Sequence, residues 1–387
     1  MTFFSLILIS ILSGVEVDLF IPSFPRLQQV FHLSPFLVQL TLSANFIAYC
    51  VASLFAGALG DRFNRRYVML VSLLIFTLGS VFCVIAQDYY ILLIGRFLQG
   101  VGMAGPSVLA FAIIADLYPI SKQAGLLAVL NGLIAGTMAF APLMGSYINF
   151  YFDWQGNFLV LLALGICCLG MAYFYIPDRQ ANPEVSLSLK AYWPLLKSTK
   201  LMSFILAFCF LVNAYWLFVG MAPILYMKAW GVPLKIYGYY QGSLAVIFSI
   251  GSLVSGRILH RYGQWQCLKS GLQVVLLSMI LIVLLTVFSL NNPLLVTIAL
   301  MIFSLGVVFP CNILFPLTLN VMPEAKARIS ALFIAVRLFL TAILLEAASY
   351  FYNGTFLSTG TGIVLCIALS FYFIYFLYIK GWIRLES

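Results

Sequence analysis

Twelve apolar stretches, each near the roughly 20 residues a helix needs to cross about 30 Å of hydrocarbon, run through this chain of 387 residues with few interruptions. They lie near 2–22, 36–59, 67–87, 90–115, 125–147, 156–176, 201–224, 236–256, 269–290, 294–320, 329–351 and 361–380. Backbone in hydrocarbon must satisfy its own polar groups, so each stretch is expected to be helical. Charged residues are only 8 % of the chain and the mean hydropathy is +1.09, more apolar surface than one soluble core could use. The expectation is an all-α integral membrane protein. Its longest break, residues 177–200, falls near the middle and divides it into a six-helix bundle over 1–176, a cytoplasmic linker, and a second six-helix bundle over 201–387 with a short cytoplasmic tail.

Lys and Arg near span ends are retained on the cytoplasmic side. With the N-terminus inside, the even connections and the tail hold fifteen of them, the odd connections only Arg26, Lys228 and Lys235. Both termini are therefore expected to be cytoplasmic. The first span has no basic residue before its apolar run and carries two acids, which argues against a cleaved secretion signal. The net charge of +9 follows from topology and gives no reason to expect nucleic-acid binding. The eight cysteines have neither metal-ligand nor disulfide-framework spacing, and His32 and His260 are too far apart for a metal site. No metal or cofactor is expected. An enzyme or primary pump is disfavoured, because no G-x-x-x-x-G-K-[S/T] stretch occurs and no extramembrane block could hold a nucleotide domain.

The chain repeats itself. "GALGDRFNRR" at 57–66 and "GRILHRYGQW" at 256–265 each follow the second helix of a half, 199 positions apart, and Gly102 with Pro106 is echoed by Gly306 with Pro310. Both echoes keep the same direction relative to the membrane, a parallel duplication suited to two bundles that alternate access. On these residues the chain resembles the major facilitator superfamily: Gly57, Leu59, Asp61, Arg62, Arg65 and Arg66 match its G-x-L-a-D-R-x-G-R-R loop, and "RFLQGVGMAG" at 96–105 is similar to its arginine-bearing fourth-helix motif. "DLFIPSFPRL" and "VQLTLSANFIAY" look like the bicyclomycin/chloramphenicol-resistance (Bcr/CflA-type) branch of drug:proton antiporters. Asn64 replaces the motif glycine, and the fifth-helix antiporter motif is reduced to Pro142 and Gly145 in "APLMGS". The resemblance implies a twelve-helix secondary transporter with a bacterial inner-membrane address. It also implies gating by Gly57, Asp61, Arg62, Arg65, Arg66, Pro142 and Gly145.

Acids inside a span cost about 2.5–3.5 kcal/mol each on insertion scales, so Glu16 and Asp18 should face a cavity or a partner. At 1.5 Å per residue inward from Pro22, Asp18 lies roughly 6 Å deep and Glu16 roughly 9 Å. Arg96, on a helix descending from the same face, is also roughly 9 Å deep, with Gln99 one turn on. On a regular helix Glu16 and Asp18 point about 200° apart, so only one can meet a given partner. A nearby guanidinium favours the ionised carboxylate and dry surroundings the protonated one. A carboxylate held between these can carry a proton across. Asp18 is the first choice, because it occupies the branch's first-helix aspartate position; Glu16 is second, and Arg96 is the partner. The other reading is a static ion pair locking helices one and four.

Asn45, Gln99, Asn213, Gln241 and Arg337 are the candidate substrate contacts; Asn131, Asn312 and Glu346 also lie inside spans. Any of them could instead be a helix-to-helix hydrogen bond. Arg337 and Glu346, nine residues apart, fall on opposite helix faces. The charged loop at 61–66 reads as an inner-face latch or as a topology signal. The expected partners are a small-molecule substrate, protons and the lipid bilayer, with the protein a monomer. Two functions stay open: proton-coupled export of small amphipathic compounds, and transport of one specific metabolite or siderophore.

Overall fold

The computed structural model describes residues 1–178 and 187–383, apart from the side chains of Ala115, Ile120, Ser121, Ala124, Leu127, Ala128, Asn131, Ala135 and Ala327. The described residues form helices joined by short turns, in two compact units, Met1–Leu189 and Lys190–Ser387. The central stretch 179–186 of the expected linker lies outside the described residues.

The first unit contains α1 (Thr2–Val15), α2 (Phe24–Val30), α3 (Pro35–Phe63), α4 (Arg65–Val84), α5 (Tyr89–Leu117) and α6 (Ile120–Tyr175). Helix starts follow local chemistry. Ser34 Oγ accepts from Leu37 N–H at the head of α3, with Pro35 in the first turn, and Asp88 Oδ1 accepts from Ile91 N–H at 2.9 Å at the head of α5. α5 is central, packing on both α3 and α4, while α1 and α4 pack on α6. Gly100 permits this: a Cβ there would run into the Asn45 carbonyl of α3.

The second unit contains α7 (Trp193–Lys197), α8 (Thr199–Pro223) continued by a π-helical segment Ile224–Ala229, α9 (Leu234–Tyr262), α10 (Gln264–Val287), α11 (Pro293–Leu319), α12 (Lys326–Tyr350) and α13 (Leu357–Ile379). Its neighbours repeat those of the first unit, since α11 packs on α9 and α10 as α5 packs on α3 and α4. The repeat also reappears in the backbone. One residue of positive φ turns α3 into α4 and another turns α9 into α10: Asn64 at φ 88° and Gly263 at φ 80°, at the same place in the two echoed motifs. Asn is the side chain that tolerates such a turn best after glycine.

Ten described helical stretches are long and apolar enough to cross a membrane. Two expectations change in detail. The first window is not one continuous helix, because α1 ends at Val15, residues 16–20 form turns, and a 3₁₀ turn covers Ile21–Ser23. Pro22 lacks the N–H that would bond the Asp18 carbonyl, and its ring would strike that carbonyl, so a regular helix cannot run through the acids. The fifth and sixth windows share the single helix α6, divided only at Asp153, whose φ of 58° and ψ of −175° break the spiral. Arg26 grips that breakpoint with Nε at 3.0 Å from both Asp153 carboxylate oxygens and Nη2 at 2.7 Å from one. These hydrogen bonds raise the Arg26 guanidinium above its ordinary value.

Candidate functional site

Three helices and a turn bring four of the sequence candidates into one buried cluster. Arg96 of α5 is fully buried, and its Nη1 lies 3.2 Å from Glu16 Oε1 and 2.6 Å from Gln99 Oε1. Asn45 of α3 donates through Nδ2 to the same Glu16 oxygen at 2.8 Å and to the Arg96 carbonyl at 3.1 Å. Gln99, one turn beyond Arg96, donates to Ser80 Oγ of α4 at 2.8 Å. Arg96 Nε and Nη2 have no acceptor among the described residues. Instead the guanidinium stacks over two aromatic rings, Phe20 at 4.8 Å and Phe158 at 5.9 Å. Ring faces carry partial negative charge and hold a desolvated cation without accepting a hydrogen bond.

Asp18 is the first choice on motif grounds, yet the acid paired with Arg96 is Glu16. The reason is the backbone. α1 ends before the acids, so the 200° separation of a regular helix does not govern them, and the turn brings Glu16 to Arg96. Asp18 is buried two residues further along the turn. This turn is clamped to α6: Asn149 Nδ2 donates to the Pro22 carbonyl at 3.3 Å, and Asn157 Nδ2 donates to Ser23 Oγ at 2.8 Å and to the Gly145 carbonyl at 3.3 Å. A Cβ on Gly145 would collide with the Leu19 carbonyl. Pro142 lies one turn before it, its carbonyl accepting from Ser146 Oγ at 2.8 Å. Gly145 thus contributes to the seat of the acid-bearing turn, while the Pro142 bond stays within its own helix.

The charged loop forms a network at the helix ends of the first unit. Arg65 pairs with Asp61 at 3.0 Å and with Asp116 near the end of α5, while Arg66 pairs with Asp178 at 2.8 Å and donates to the Tyr173 carbonyl at 2.6 Å. Asn64 Nδ2 adds a bond to Asp178 at 3.2 Å. Arg62 lies over the Phe63 ring, and a Cβ added to Gly57 would meet Val108 of α5 at ordinary contact distance. Asp116 and Asp178 escaped sequence reasoning, although both are acids flanking spans that end beside the basic loop.

In the second unit, Asn213 of α8 and Arg337 of α12 are neighbours. Asn213 Nδ2 donates to the Arg337 carbonyl at 3.5 Å, and Thr341 Oγ1 donates to Asn213 Oδ1 at 2.5 Å. Asn213 therefore joins two helices. Gln241 of α9 is buried and accepts from Tyr237 Oη at 2.5 Å. Asn312 donates to Ser255 Oγ at 2.9 Å. The side chain of Asn131 lies outside the described residues.

A buried ion pair within an apolar helical unit, and a second unit that repeats the first in its helix order, describe a membrane protein of two bundles. The Major Facilitator Superfamily model matches residues 6–345, and the chain belongs to that family, whose members are membrane transporters and not enzymes. It is a multi-pass membrane protein of twelve spans in two six-helix bundles of repeated topology. Among curated relatives, the multidrug resistance protein MdtL of Escherichia coli O139:H28 is 29% identical over 240 residues, covering 62% of this chain and 60% of the relative. MdtL of Shigella flexneri matches to the same extent. The chain thus spans 60% of the length of these relatives. Among solved structures, the human organic anion transporter MFSD10 (TETRAN) superposes with a TM-score of 0.74 at 14% identity, over 97% of this chain and 98% of that one. A D-xylose-proton symporter superposes with a TM-score of 0.72 at 16% identity, over 96% and 98%. These likenesses concern the fold.

Proposed function

We propose that the protein is a proton-driven exporter of small amphipathic compounds. It works as a monomer by alternating access in the bacterial inner membrane, with both termini cytoplasmic. The observation that carries this reading is the buried Glu16–Arg96 pair, set among Asn45, Gln99 and two ring faces. Arg96 cannot discharge by losing a proton, so Glu16 is the member that titrates. Proton uptake there dissolves the ion pair and leaves Arg96 to Gln99 and the rings. The free energy released or consumed biases two conformations of the transporter, which is the requirement for coupling. Asp18, two residues along the turn, is the second acid of the proton path. Asn45 and Gln99 are committed to the cluster and act on Glu16 and Arg96, while Gln241, Asn213 and Arg337 belong to the substrate side. The Asp61, Arg65, Asp116, Arg66 and Asp178 network holds the inner helix ends and sets the rate of conformational exchange. The resemblance to the Bcr/CflA-type branch and the name of the MdtL relatives support drugs as cargo.

The test is susceptibility of an exporter-deficient bacterial strain to a panel of amphipathic antibiotics and dyes. Expression of the wild type is expected to raise tolerance to several structurally unrelated compounds, and Glu16→Gln to abolish the gain at equal membrane abundance. Tolerance unchanged across the whole panel would instead favour a transporter of one specific metabolite.

A further inference from the structure

Arg337 is the second arginine within an apolar span, and its setting differs from that of Arg96. Within the span Arg328–Tyr350 it lies roughly 14 Å from one end and roughly 20 Å from the other at 1.5 Å per residue, close to mid-membrane. Arg96 has its own carboxylate and is sealed, whereas Arg337 is half-buried. Among the described residues no carboxylate lies within ion-pair distance of its guanidinium, and that group donates no hydrogen bond. A guanidinium keeps its proton at any physiological pH, so at this depth it needs an anion or a wet cavity.

Its main chain, by contrast, is held firmly. The Arg337 carbonyl accepts from Asn213 Nδ2 at 3.5 Å, and the single Thr341 hydroxyl proton is shared between that carbonyl, at 2.7 Å, and Asn213 Oδ1. This triad ties α12 to α8 at the arginine and leaves the fork of the side chain uncommitted. One helical turn away on the same face, Phe333 meets Phe208 of α8 and Phe315 of α11 edge to face, with ring centroids 4.7 and 4.9 Å from its own. Phe208 and Phe315 are both half-buried. A cation one turn from half-buried aromatic rings suits a ligand with one anionic end and a flat apolar body.

We infer that Arg337 is the anion-recognition residue of the second unit, and that the cargo is an amphipathic organic anion bearing a carboxylate or sulfonate that the guanidinium holds bidentately. This deepens the transport reading above and rests on it.

The experiment measures thermal stabilisation of the purified full-length protein by three probes sharing one ring system: 1-naphthoate, its neutral methyl ester, and 1-naphthylmethylammonium. No pH gradient is applied, so the result is independent of proton coupling. The anion is expected to stabilise the wild type more than the ester or the ammonium does. Arg337→Gln is expected to weaken 1-naphthoate binding ~10-fold or more, with Arg337→Lys weakened less. Equal stabilisation by all three probes, or by none, overturns the inference without any variant, as does unchanged 1-naphthoate binding in a folded Arg337→Gln. Glu16→Gln is run alongside. Loss of gradient-driven transport there with the anion preference intact supports both ideas. Normal gradient-driven transport there, with the preference intact, overturns the proton reading alone.

Discussion

The Glu16–Arg96 pair makes an asymmetric prediction about stability. Removing one member of a buried pair costs about 3–5 kcal/mol, because the other charge is left in low dielectric. In Glu16→Gln the stranded group is Arg96, which keeps Gln99 at 2.6 Å and the rings of Phe20 and Phe158 but cannot discharge. For a folding unit of 150–250 residues each kcal/mol moves the midpoint by about 2–4 °C, so Glu16→Gln should lower Tm by at least about 6 °C, at every pH. The first unit, Met1–Leu189, falls in that size range. In Arg96→Met the stranded group is Glu16, which keeps Asn45 at 2.8 Å and can take up a proton. Its cost is fully felt while the carboxylate is ionised and shrinks as pH falls and the carboxyl is neutralised. The double variant Glu16→Gln/Arg96→Met carries neither charge and should recover most of the loss. The assay is thermal unfolding of the four proteins in one detergent from pH 5 to 9, read as a double-mutant cycle. If the single losses simply add in the double variant, or if Arg96→Met shows no pH dependence, the pair is not coupled and the reasoning fails.

Three other perturbations test neighbouring parts. In the helix-end network, Asp116→Asn should lower turnover more than Asp61→Asn does, at unchanged substrate affinity, because the Asp61 side chain is 50% exposed and water screens its pair with Arg65. Initial rates against concentration would show it, and equal, unaltered rates would make the loop a topology signal. Gly145→Ala should drive a methyl into the Leu19 carbonyl and displace the acid-bearing turn, so transport falls while membrane abundance holds. At the exposed Arg26–Asp153 clamp, Asp153→Asn should cost no more than about 1 kcal/mol, and the difference from wild type should narrow as salt rises from 0.1 to 1 M.

Much of this was legible in the residues because hydrocarbon leaves so few options. Apolar length predicted the spans, and Pro35 and the cap at Asp88 mark where two of them begin. The echo of "GALGDRFNRR" marks two corresponding places in the chain, where the structure has helix turns at Asn64 and Gly263. Depth counting from Pro22 matched Arg96 to the acid pair, and the structure joins it to Glu16, the second choice of the two. What misled was treating residues 16–20 as regular helix when Pro22 forbids it, which made the angular argument between Glu16 and Asp18 inapplicable. Asp116 and Asp178 were missed because the helix ends were surveyed for basic residues alone. The hydrogen bond of Asn213 could not be foreseen, because its target, the Arg337 carbonyl, belongs to a backbone and leaves no mark in a list of side chains. Asp153 gave no warning either, since the side chain that holds it, Arg26, lies 127 residues away in sequence.

The central claim is that Glu16 couples proton movement to export. The most direct measurement is substrate flux in proteoliposomes of wild type and Glu16→Gln under an imposed pH gradient, with gradient-free exchange recorded in the same vesicles. The wild type should accumulate substrate against its concentration gradient, while Glu16→Gln should exchange substrate but fail to concentrate it. Concentrative, gradient-driven transport by Glu16→Gln would contradict the account and move the proton site to Asp18 or out of this cluster.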